Sequence, residues 1–527
     1  MENHLPNSLH TISALLLLFA LSGAAPAAEP DAALPKTQES LPPLVKGLTE
    51  SAMQYMDGQW DEAAGLIGGP GGHGTRASAQ YAVGLLLRNG PGDAARAHRI
   101  IESLARVQVD APQSADHGIW SPRAEDRSTL PGRRAEPSLD PNWREFVGSA
   151  EILLLEEFRP LLDDTTVSLL EQCIRRAAEG DHARRVRPQY TNIALMSAHL
   201  LGWAGQRFGV AEWRDHGKRL AKAVYHNFKT NGSFDEYNSP TYGGVDLYGL
   251  GLWRTHPVTP EMAAMAAEME TGFWRDLAAF YHAGMRNLCG PFDRAYGMDM
   301  REYVALAGVW VAFCVPENAA PLPPAGSAAE KDGERFAIPS YALVRREPPA
   351  EVLPHLQKFE GERQLCRPIG HGGKRIATAW LSQDLMIGGG VTPPFKNSPE
   401  QAHPVTAHWT APDGGVCWMR QRGDFSVEAV AAKNSLSIRC RKLYGRKMDN
   451  RVRFEVHAAG ARMDMVNGNQ WHLPGLDVKV ATTLAAPAVR ETADGLEVCF
   501  PVPDNAREVR LELSLAHTPD PACMDVR

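Results

Sequence analysis

Three side chains of this 527-residue chain have the types and the spacing of a proton-transfer site. Asn192, Tyr242 and Arg294 supply an amide, a phenol and a guanidinium, and they follow one another at intervals of 50 and 52 residues. An amide and a cation can stabilise a carboxylate that gains charge in a transition state, and a phenol can exchange a proton with a neighbouring carbon. The set is suited to removing a proton next to a carboxylate.

This chemistry gives each group a task. In a uronic-acid polymer, β-elimination removes the C5 hydrogen, which is alpha to the carboxylate, while the 4-linked sugar departs. Asn192 with a nearby cation would neutralise the carboxylate, and Tyr242 would take the proton and protonate the departing oxygen. The tyrosine pKa near 10 has to fall by about three units, worth roughly 4 kcal/mol, to give a base at neutral pH. We expect the charge of Arg294 to lower it.

Polar residues close to these three in sequence are candidates for substrate binding: Tyr190, Glu236, Tyr237, Asn238, Tyr296 and Arg301.

Each main assignment has a simpler alternative. Asn192 could cap the start of its own helix, since asparagine favours that position. Tyr242 could be a packing residue in a turn, and Arg294 could pair with Asp293 or Asp299 at the surface. Glu236 is a partner for an arginine, a glycosidase acid or a solvated loop carboxylate.

The elements that must position these residues are helices. From Leu41 to about Val315 apolar residues recur at three- and four-residue spacing, which is typical of amphipathic helices. The pattern predicts helices near 42–57, 76–89, 92–108, 143–158, 162–179, 190–207, 211–228, 244–254, 259–283 and 300–313. If these pair as hairpins around a ring, each pair takes about 50 residues and the loops entering the inner helices meet at one end. The three residues would then share one rim, where helix N-termini favour anions.

The second half of the chain has a different pattern. Residues 316–335 are rich in Pro, Ala and Gly without periodicity, which predicts a linker. After Phe336, short alternating runs predict antiparallel strands, the first at Tyr341 to Arg345. We therefore expect an N-terminal helical domain at 29–315 and an antiparallel β-sheet domain at 336–527, a multidomain α-then-β protein.

The candidate residues lie in motifs that resemble a known group. The stretch GSFDEYNSPTYGGV from Gly232 to Val245, with Asn192 before it and PFDRAYG from Pro291 to Gly297 after it, resembles the catalytic rim of the toroid polysaccharide lyases. This group includes the chondroitin AC, hyaluronate, alginate and heparinase-type lyases. The resemblance implies an (α/α) incomplete toroid followed by an antiparallel β-sandwich. It also implies that Asn192 binds the carboxylate, that Tyr242 is base and acid, and that Arg294 assists the tyrosine.

One part expected from the resemblance is missing. Chondroitin AC and hyaluronate lyases have a histidine shortly before the tyrosine, but the segment from Lys229 to Thr241 contains none. His226, at the end of the preceding helix, is the first candidate to replace it. The other histidines considered for this role are His117, His182, His371, His403 and His408.

Aromatic and histidine side chains elsewhere are candidates for sugar contacts. The loop from Asp110 to Pro141 is long enough to suggest a task, and it contains His117 and Trp120. Trp143 follows it directly, and His371 lies in a glycine-rich turn. We include all four among the candidate substrate-binding residues, although tryptophans more often belong to a core.

Charge and targeting signals narrow the function further. The formal charge of −7 and the lack of long basic runs disfavour nucleic acid as a partner. The ten apolar residues from Ile12 to Leu21, followed by Ala25-Pro26-Ala27, predict a signal peptide over 1–28 and a periplasmic or secreted protein. No later stretch predicts an integral membrane segment. Neither a cofactor nor a metal is expected, since the eight cysteines form no CxxC pair and His403 and His408 lack a third ligand. A structural Ca²⁺ or Zn²⁺ and the oligomeric state stay open.

Three functions remain at this point. The first is an exported lyase that acts on an acidic, uronate-containing polysaccharide or oligosaccharide. The second is a glycoside hydrolase on the same toroid, with Asp140, Asp235 or Glu236 as acid and base. The third is a glycan-binding protein without catalysis. The sequence favours the first, because amide, phenol and guanidinium recur at one spacing and no carboxylate pair does.

Overall fold

The computed structural model describes residues 36–69, 71–128, 139–324, 326, 327, 329, 334–370, 372–393, 401–423, 425–442 and 449–518. The predicted signal peptide at 1–28 and the candidate residue His371 lie outside these ranges.

Helices make up most of the described residues between 36 and 344. They are α1 (Pro43–Asp57), α2 (Thr75–Arg88), α3 (Asp93–Val107), α4 (Trp143–Phe158), α5 (Asp164–Arg184), α6 (Thr191–Arg207), α7 (Ala211–Asn231), α8 (Tyr242–Thr255), α9 (Pro260–Phe280), α10 (Leu306–Ala312) and α11 (Ile338–Val344), followed by the short α12 (Leu353–Gln357). Two small sheets accompany them, formed by β1 (Trp60–Asp61), β2 (Leu66–Gly69) and β3 (Gly72–His73), and by β4 (Tyr281–His282) and β5 (Asn287–Leu288).

The helices form hairpins whose members differ in burial. Helices α2, α4, α6 and α8 pack side by side in that order, and α3, α5, α7 and α9 each pack on the helix that precedes them. The inner helix α6 is buried from Thr191 through Gly205, whereas α7 buries only one stripe. This is the difference between a helix enclosed by protein and a helix at the surface. Helix α11 contacts both α2 and α8, the two ends of the inner series. The predicted (α/α) incomplete toroid is confirmed.

A glycine brings the first turn of α8 close to α10. A Cβ atom on Gly244 would lie 2.2 Å from the backbone carbonyl carbon of Leu306. The carbonyl of Gly244 also accepts a hydrogen bond from Trp310 Nε1 at 2.9 Å. Any larger side chain at this position would push away the helix that begins with Tyr242.

Antiparallel strands form most of the remaining chain. They are β6 (Arg363–Ile369), β7 (Arg375–Leu381), β8 (Leu385–Gly389), β9 (Val405–Thr410), β10 (Val416–Arg422), β11 (Phe425–Ala432), β12 (Ser435–Lys442), β13 (Arg451–His457), β14 (Val466–Asn467), β15 (Gln470–Leu473), β16 (Leu476–Thr482), β17 (Ala488–Thr492), β18 (Gly495–Pro501) and β19 (Glu508–His517).

These strands form two sheets, and their inner faces share one hydrophobic core. One sheet has the order β17-β18-β13-β10-β9-β8-β7-β6 and the other β11-β12-β19-β16-β15-β14. Alternation explains the packing: in β19, Val509, Leu511, Leu513 and Leu515 point inward while the residues between them do not. The core joins them to residues of the larger sheet such as Ile387. The prediction of an antiparallel β-sandwich is confirmed.

One predicted strand is wrong. The segment from Tyr341 to Arg345 reads as an alternating run, but residues 338–344 form α11. The ring of Tyr341 stacks between those of Tyr248 and Trp310, with centroids 5.1 and 5.4 Å away. Burial on every side removes the polar face that distinguishes a helix from a strand, so periodicity alone could not assign this segment.

Hydrogen bonds join the sandwich to the loop that follows β5. Phe292 and His403 exchange backbone hydrogen bonds at 3.1 and 2.8 Å, and the Ala295 amide donates to the Gln401 carbonyl at 2.9 Å. Arg375 on β7 forms a buried ion pair with Asp293. These contacts fix the backbone on both sides of Arg294. Among the described helices none combines the length and the apolar character needed to cross a bilayer.

Candidate active site

Side-chain hydrogen bonds connect the N-terminal ends of three inner helices. Asn142, just before α4, donates from Nδ2 to the Tyr190 hydroxyl, just before α6, at 2.9 Å. Asn192, in the first turn of α6, donates to Glu236 in the loop that leads to α8. Tyr242 is the first residue of α8 and accepts from Arg294. The loops entering the inner helices therefore do meet on one rim.

The centre of this rim is the carboxylate of Glu236. Asn192 Nδ2 donates to its Oε2 at 2.5 Å, and Arg294 Nη1 donates to its Oε1 at 2.5 Å. All three side chains are buried, with Glu236 only 4% exposed. The amide and the guanidinium are thus held by one carboxylate, so Asn192 is not a simple helix cap.

Arg294 uses its whole guanidinium within this cluster. Besides Glu236, it donates from Nη2 to the Tyr242 hydroxyl at 2.8 Å and from Nε to Gln401 Oε1 at 3.0 Å. Its central carbon lies 3.8 Å from the centroid of the Tyr242 ring. The surface ion pairs considered from the sequence are absent for this described residue, because Asp293 is paired with Arg375 and Asp299 with Arg301.

Tyr242 has a second phenol beside it. Its hydroxyl contacts the hydroxyl of Tyr296, and the two ring centroids are 5.7 Å apart. Tyr242 is half-buried, whereas Tyr296 is 58% exposed. The hydroxyl of Tyr242 is therefore covered by the side chain of Tyr296, which faces solvent.

Burial controls the protonation of these groups. Burial raises the pKa of Tyr242, and the opposing charge of Arg294 does not compensate. Arg294 thus lowers this pKa, as expected from the sequence, but burial raises it by more, so the net direction in the ligand-free protein is upward. Burial also raises the pKa of Glu236, against the effect of Arg294. One helical turn after Tyr242, burial raises the pKa of Asp246 well above its usual range, and neither carboxyl oxygen has a described hydrogen-bond partner.

Tyr190 borders the cluster, and Trp143 lies at the start of α4, next to Asn142 in the chain. Both are half-buried, and Tyr190 is close enough for Glu236 and Arg294 to affect its pKa, which is raised mainly by burial. Behind it, Asn142 Oδ1 accepts from Arg184 at 2.7 Å, and Arg184 also pairs with the buried Glu145 at 3.0 Å. These contacts hold the rim between α4 and α6.

Three predicted binding residues hold the protein together instead. Tyr237 is 3% exposed and packs edge to face on Phe280. Asn238 donates to the carbonyls of Cys289 and Pro291, at 2.8 and 3.0 Å. The guanidinium of Arg301 is bound by Asp299 at 2.7 Å.

Two further candidates, Trp120 and His117, lie away from the described cluster. Trp120 is fully buried and donates to the Leu104 carbonyl, so it cannot stack on a sugar. His117 is buried and bonded to Glu179 at 3.0 Å.

His226 is exposed on the outer helix α7, where its described polar contact is the Thr230 hydroxyl at 3.5 Å. The structure therefore does not bring the predicted assisting histidine to Tyr242. Among the other histidines considered, His403 and His408 are buried, and burial lowers their pKa to about 3 and about 4.

Two members of the cluster were not predicted from the sequence. Gln401 comes from the segment before β9, 107 residues after Arg294, and no sequence signal connects them. Asp246 lies in the helix predicted at 244–254, but the observed helix α8 begins two residues earlier, at Tyr242. The spacing of four residues therefore places Asp246 on the same face as Tyr242. Within the described ranges, no group of three or more His, Cys, Asp or Glu side chains is arranged to hold a metal ion.

The fold and this rim define a class of protein, an (α/α) toroid joined to an antiparallel β-sandwich with a buried tyrosine, arginine and carboxylate cluster at the toroid rim. Residues 46–345 match the model of a family described as Domain of unknown function (DUF8769), and residues 362–495 match Domain of unknown function (DUF8770). Because the first match covers more than half of the chain, the protein belongs to the DUF8769 family. No curated protein matches the chain.

Several solved structures are similar to the chain. Heparinase III is 9% identical over 92% of this chain and 86% of its own, with a TM-score of 0.44. Chondroitin AC lyase from Streptomyces coelicolor A3 is 11% identical over 94% and 81%, with a TM-score of 0.48. An unsaturated glucuronyl hydrolase mutant from Streptococcus agalactiae is 13% identical over 60% and 81%, with a TM-score of 0.31.

Proposed function

We propose that this protein is an exported polysaccharide lyase that cleaves a uronate-containing polysaccharide by β-elimination. The observation that carries the proposal is the position of Arg294, whose guanidinium donates to the Tyr242 hydroxyl at 2.8 Å while it binds the carboxylate that also holds Asn192. The phenol and the cation are thus in direct contact, and the amide is linked to the cation through Glu236.

In the proposed reaction the substrate carboxylate lies against Asn192 and Arg294. Their donors stabilise the charge that develops when the C5 proton leaves. The Tyr242 oxygen takes this proton and then gives one to the departing 4-linked oxygen. Because burial raises the pKa of Tyr242, its phenolate is a small fraction at neutral pH, and the Arg294 donor stabilises that fraction. We therefore expect kcat to rise by about tenfold per pH unit from neutral to alkaline pH.

Aromatic side chains on the rim are suited to hold the polymer. Tyr296 is exposed beside Tyr242, Tyr190 is half-buried and near Glu236, and Trp143 is half-buried at the start of α4. Rings of this kind present an apolar face to a sugar and a polar edge to water. The partner we propose is an acidic polysaccharide or oligosaccharide, in the periplasm or outside the cell, as the predicted signal peptide indicates.

The carboxylates weighed for a glycoside hydrolase do not form a pair across this rim. Asp235 is buried and accepts from Asn231 Nδ2 at 3.1 Å, and Asp140 accepts from the backbone amide of Asn142 at 2.9 Å. Of these three carboxylates only Glu236 lies in the cluster, and the other carboxyl group there, that of Asp246, is 1% exposed behind the first turn of α8. A hydrolase needs two carboxyl groups on either side of the bond, so the geometry favours elimination.

The test is a panel of alginate, glucuronan, hyaluronan, chondroitin, heparan and bacterial exopolysaccharides. A lyase gives products whose unsaturated uronate absorbs ultraviolet light, a hydrolase gives reducing ends without that absorbance, and a binding protein releases nothing. Tyr242→Phe should abolish the absorbance and preserve binding. Tyr225→Phe is the control, since Tyr225 lies on the outer helix α7 and bonds to Glu268. Normal turnover by Tyr242→Phe would refute the mechanism.

A further inference from the structure

The carboxylate position of the site is already occupied by the chain itself. Asn192 Nδ2 and Arg294 Nη1 are the two donors that the proposed function assigns to the substrate carboxylate. In the structure they bind the two oxygens of Glu236, at 2.5 Å each. An arriving uronate therefore meets donors that an internal carboxylate has taken.

The local charge makes a second carboxylate unfavourable. Arg294 and Glu236 neutralise each other, and the described hydrogen-bond partners of Glu236 are only Arg294 and Asn192. The other titratable groups that face Glu236 are the phenols of Tyr190 and Tyr242 and the carboxyl group of Asp246.

A small cavity behind Glu236 is also lined by Asp276. None of the additional groups around Glu236 is a cation. A bound uronate would leave one uncompensated negative charge in a buried cluster, which is costly unless the charge is paired or neutralised.

We propose that Glu236 is an internal substitute for the substrate carboxylate, and that an anionic substrate binds together with one proton taken up by Glu236. This inference rests on the proposed function. It adds that the site takes up one proton for each carboxylate that it binds. The proton comes from solvent and binds to a carboxylate oxygen of Glu236, which releases Arg294 for the substrate. No covalent bond between heavy atoms changes.

The Asn192 side chain offers a place for the new O–H group. Its Oδ1 atom is buried and has no hydrogen-bond partner among the described residues. After a half-turn of the amide, Oδ1 can accept from protonated Glu236, and Nδ2 is free to donate to the ligand. Burial, which already raises the pKa of Glu236, favours the same protonated state.

Binding of a simple carboxylate tests this inference without turnover. The probe is D-glucuronate, with D-glucose as the neutral control, titrated into the full protein from about pH 5 to pH 9. Wherever Glu236 is ionised in the free protein, we expect the dissociation constant to rise about tenfold per pH unit. Calorimetry in two buffers of different ionisation enthalpy should count one proton taken up per glucuronate.

Two variants separate Glu236 from other acids. Glu236→Gln should bind glucuronate more tightly, with a dissociation constant independent of pH and no proton uptake. Glu270→Gln is the matched control, because Glu270 is also buried and pairs with an arginine, Arg254, at 2.5 Å. It should keep the wild-type pH dependence.

A wild-type dissociation constant that stays flat over the whole pH range, or a folded Glu236→Gln variant that fails to bind glucuronate, would overturn the inference. The proton uptake is measured on the wild type, so it tests the inference even if Glu236→Gln misfolds. Failure of the proposed function has a different signature, namely no unsaturated product from any uronate polymer.

Discussion

Replacing Arg294 by lysine is the most informative change at the rim. The guanidinium reaches three partners at once, Glu236 Oε1, the Tyr242 hydroxyl and Gln401 Oε1, and stacks on the Tyr242 ring. A lysine keeps the charge but presents a single ammonium group, which lacks the planar fork. We expect it to remain with Glu236, where the opposite charge is, and to release the Tyr242 oxygen.

The structure gives a magnitude for this loss. A hydrogen bond from a charged donor contributes about 1.5–3 kcal/mol, and the bond to Tyr242 is the one that strengthens as the phenol loses its proton. A loss of about 3 kcal/mol in the transition state corresponds to a decrease of roughly 100-fold in kcat. Because the effect is on the proton-transfer step, KM should change much less.

The assay is the initial rate of ultraviolet absorbance increase on the best polymer of the panel. Arg254→Lys is the control, because Arg254 lies at the opposite end of α8 and pairs with the buried Glu270. It should lower stability without lowering kcat. If Arg294→Lys retains kcat within threefold, or changes only KM, then the guanidinium does not activate Tyr242 and our reasoning about the base is refuted.

Three further predictions concern other parts of the molecule. Asp246→Asn should stabilise the protein, because the buried acid keeps a proton that the unfolded chain releases. Urea unfolding should show that the gain in unfolding free energy grows by about 1.4 kcal/mol per pH unit above pH 5, until Asp246 ionises in the folded protein. Asp293→Asn should lower the unfolding free energy by about 3–5 kcal/mol, since it leaves Arg375 buried and unpaired; urea unfolding that matches the wild type would contradict this. His226→Ala should leave kcat unchanged in the absorbance assay, and a large loss would show that the exposed face of α7 takes part in the reaction.

Sequence reasoning was most successful where periodicity was long. Helix α4 was predicted at 143–158 and is observed over Trp143–Phe158. Regular spacing of about 50 residues correctly indicated that Asn192, Tyr242 and Arg294 share a rim, because each hairpin returns the chain to the same end. The segment around Tyr341 was misassigned, since complete burial leaves no periodic signal.

The limits of sequence reasoning at the site have two physical causes. A residue type does not reveal how far a side chain is buried. The sequence therefore indicates that Arg294 lowers the pKa of Tyr242, but it does not reveal that burial raises this pKa by more. For the same reason Trp120 was considered a sugar platform although it is a core residue. Partners from distant segments are the second cause, and Gln401 is the example, since nothing in its local sequence points to Arg294.

The contact with Gln401 also shows how the two halves of the protein depend on each other. Arg294 lies on a loop of the toroid, but its neighbours Phe292, Asp293 and Ala295 are all bonded to residues of the sheet region. A loop without these bonds would sample many conformations, and a misplacement of about 1 Å can cost a factor of 100 in rate. The sandwich therefore fixes the backbone on either side of Arg294 and holds the guanidinium against Tyr242. In the proposed reaction, this contact would be in place before the substrate binds.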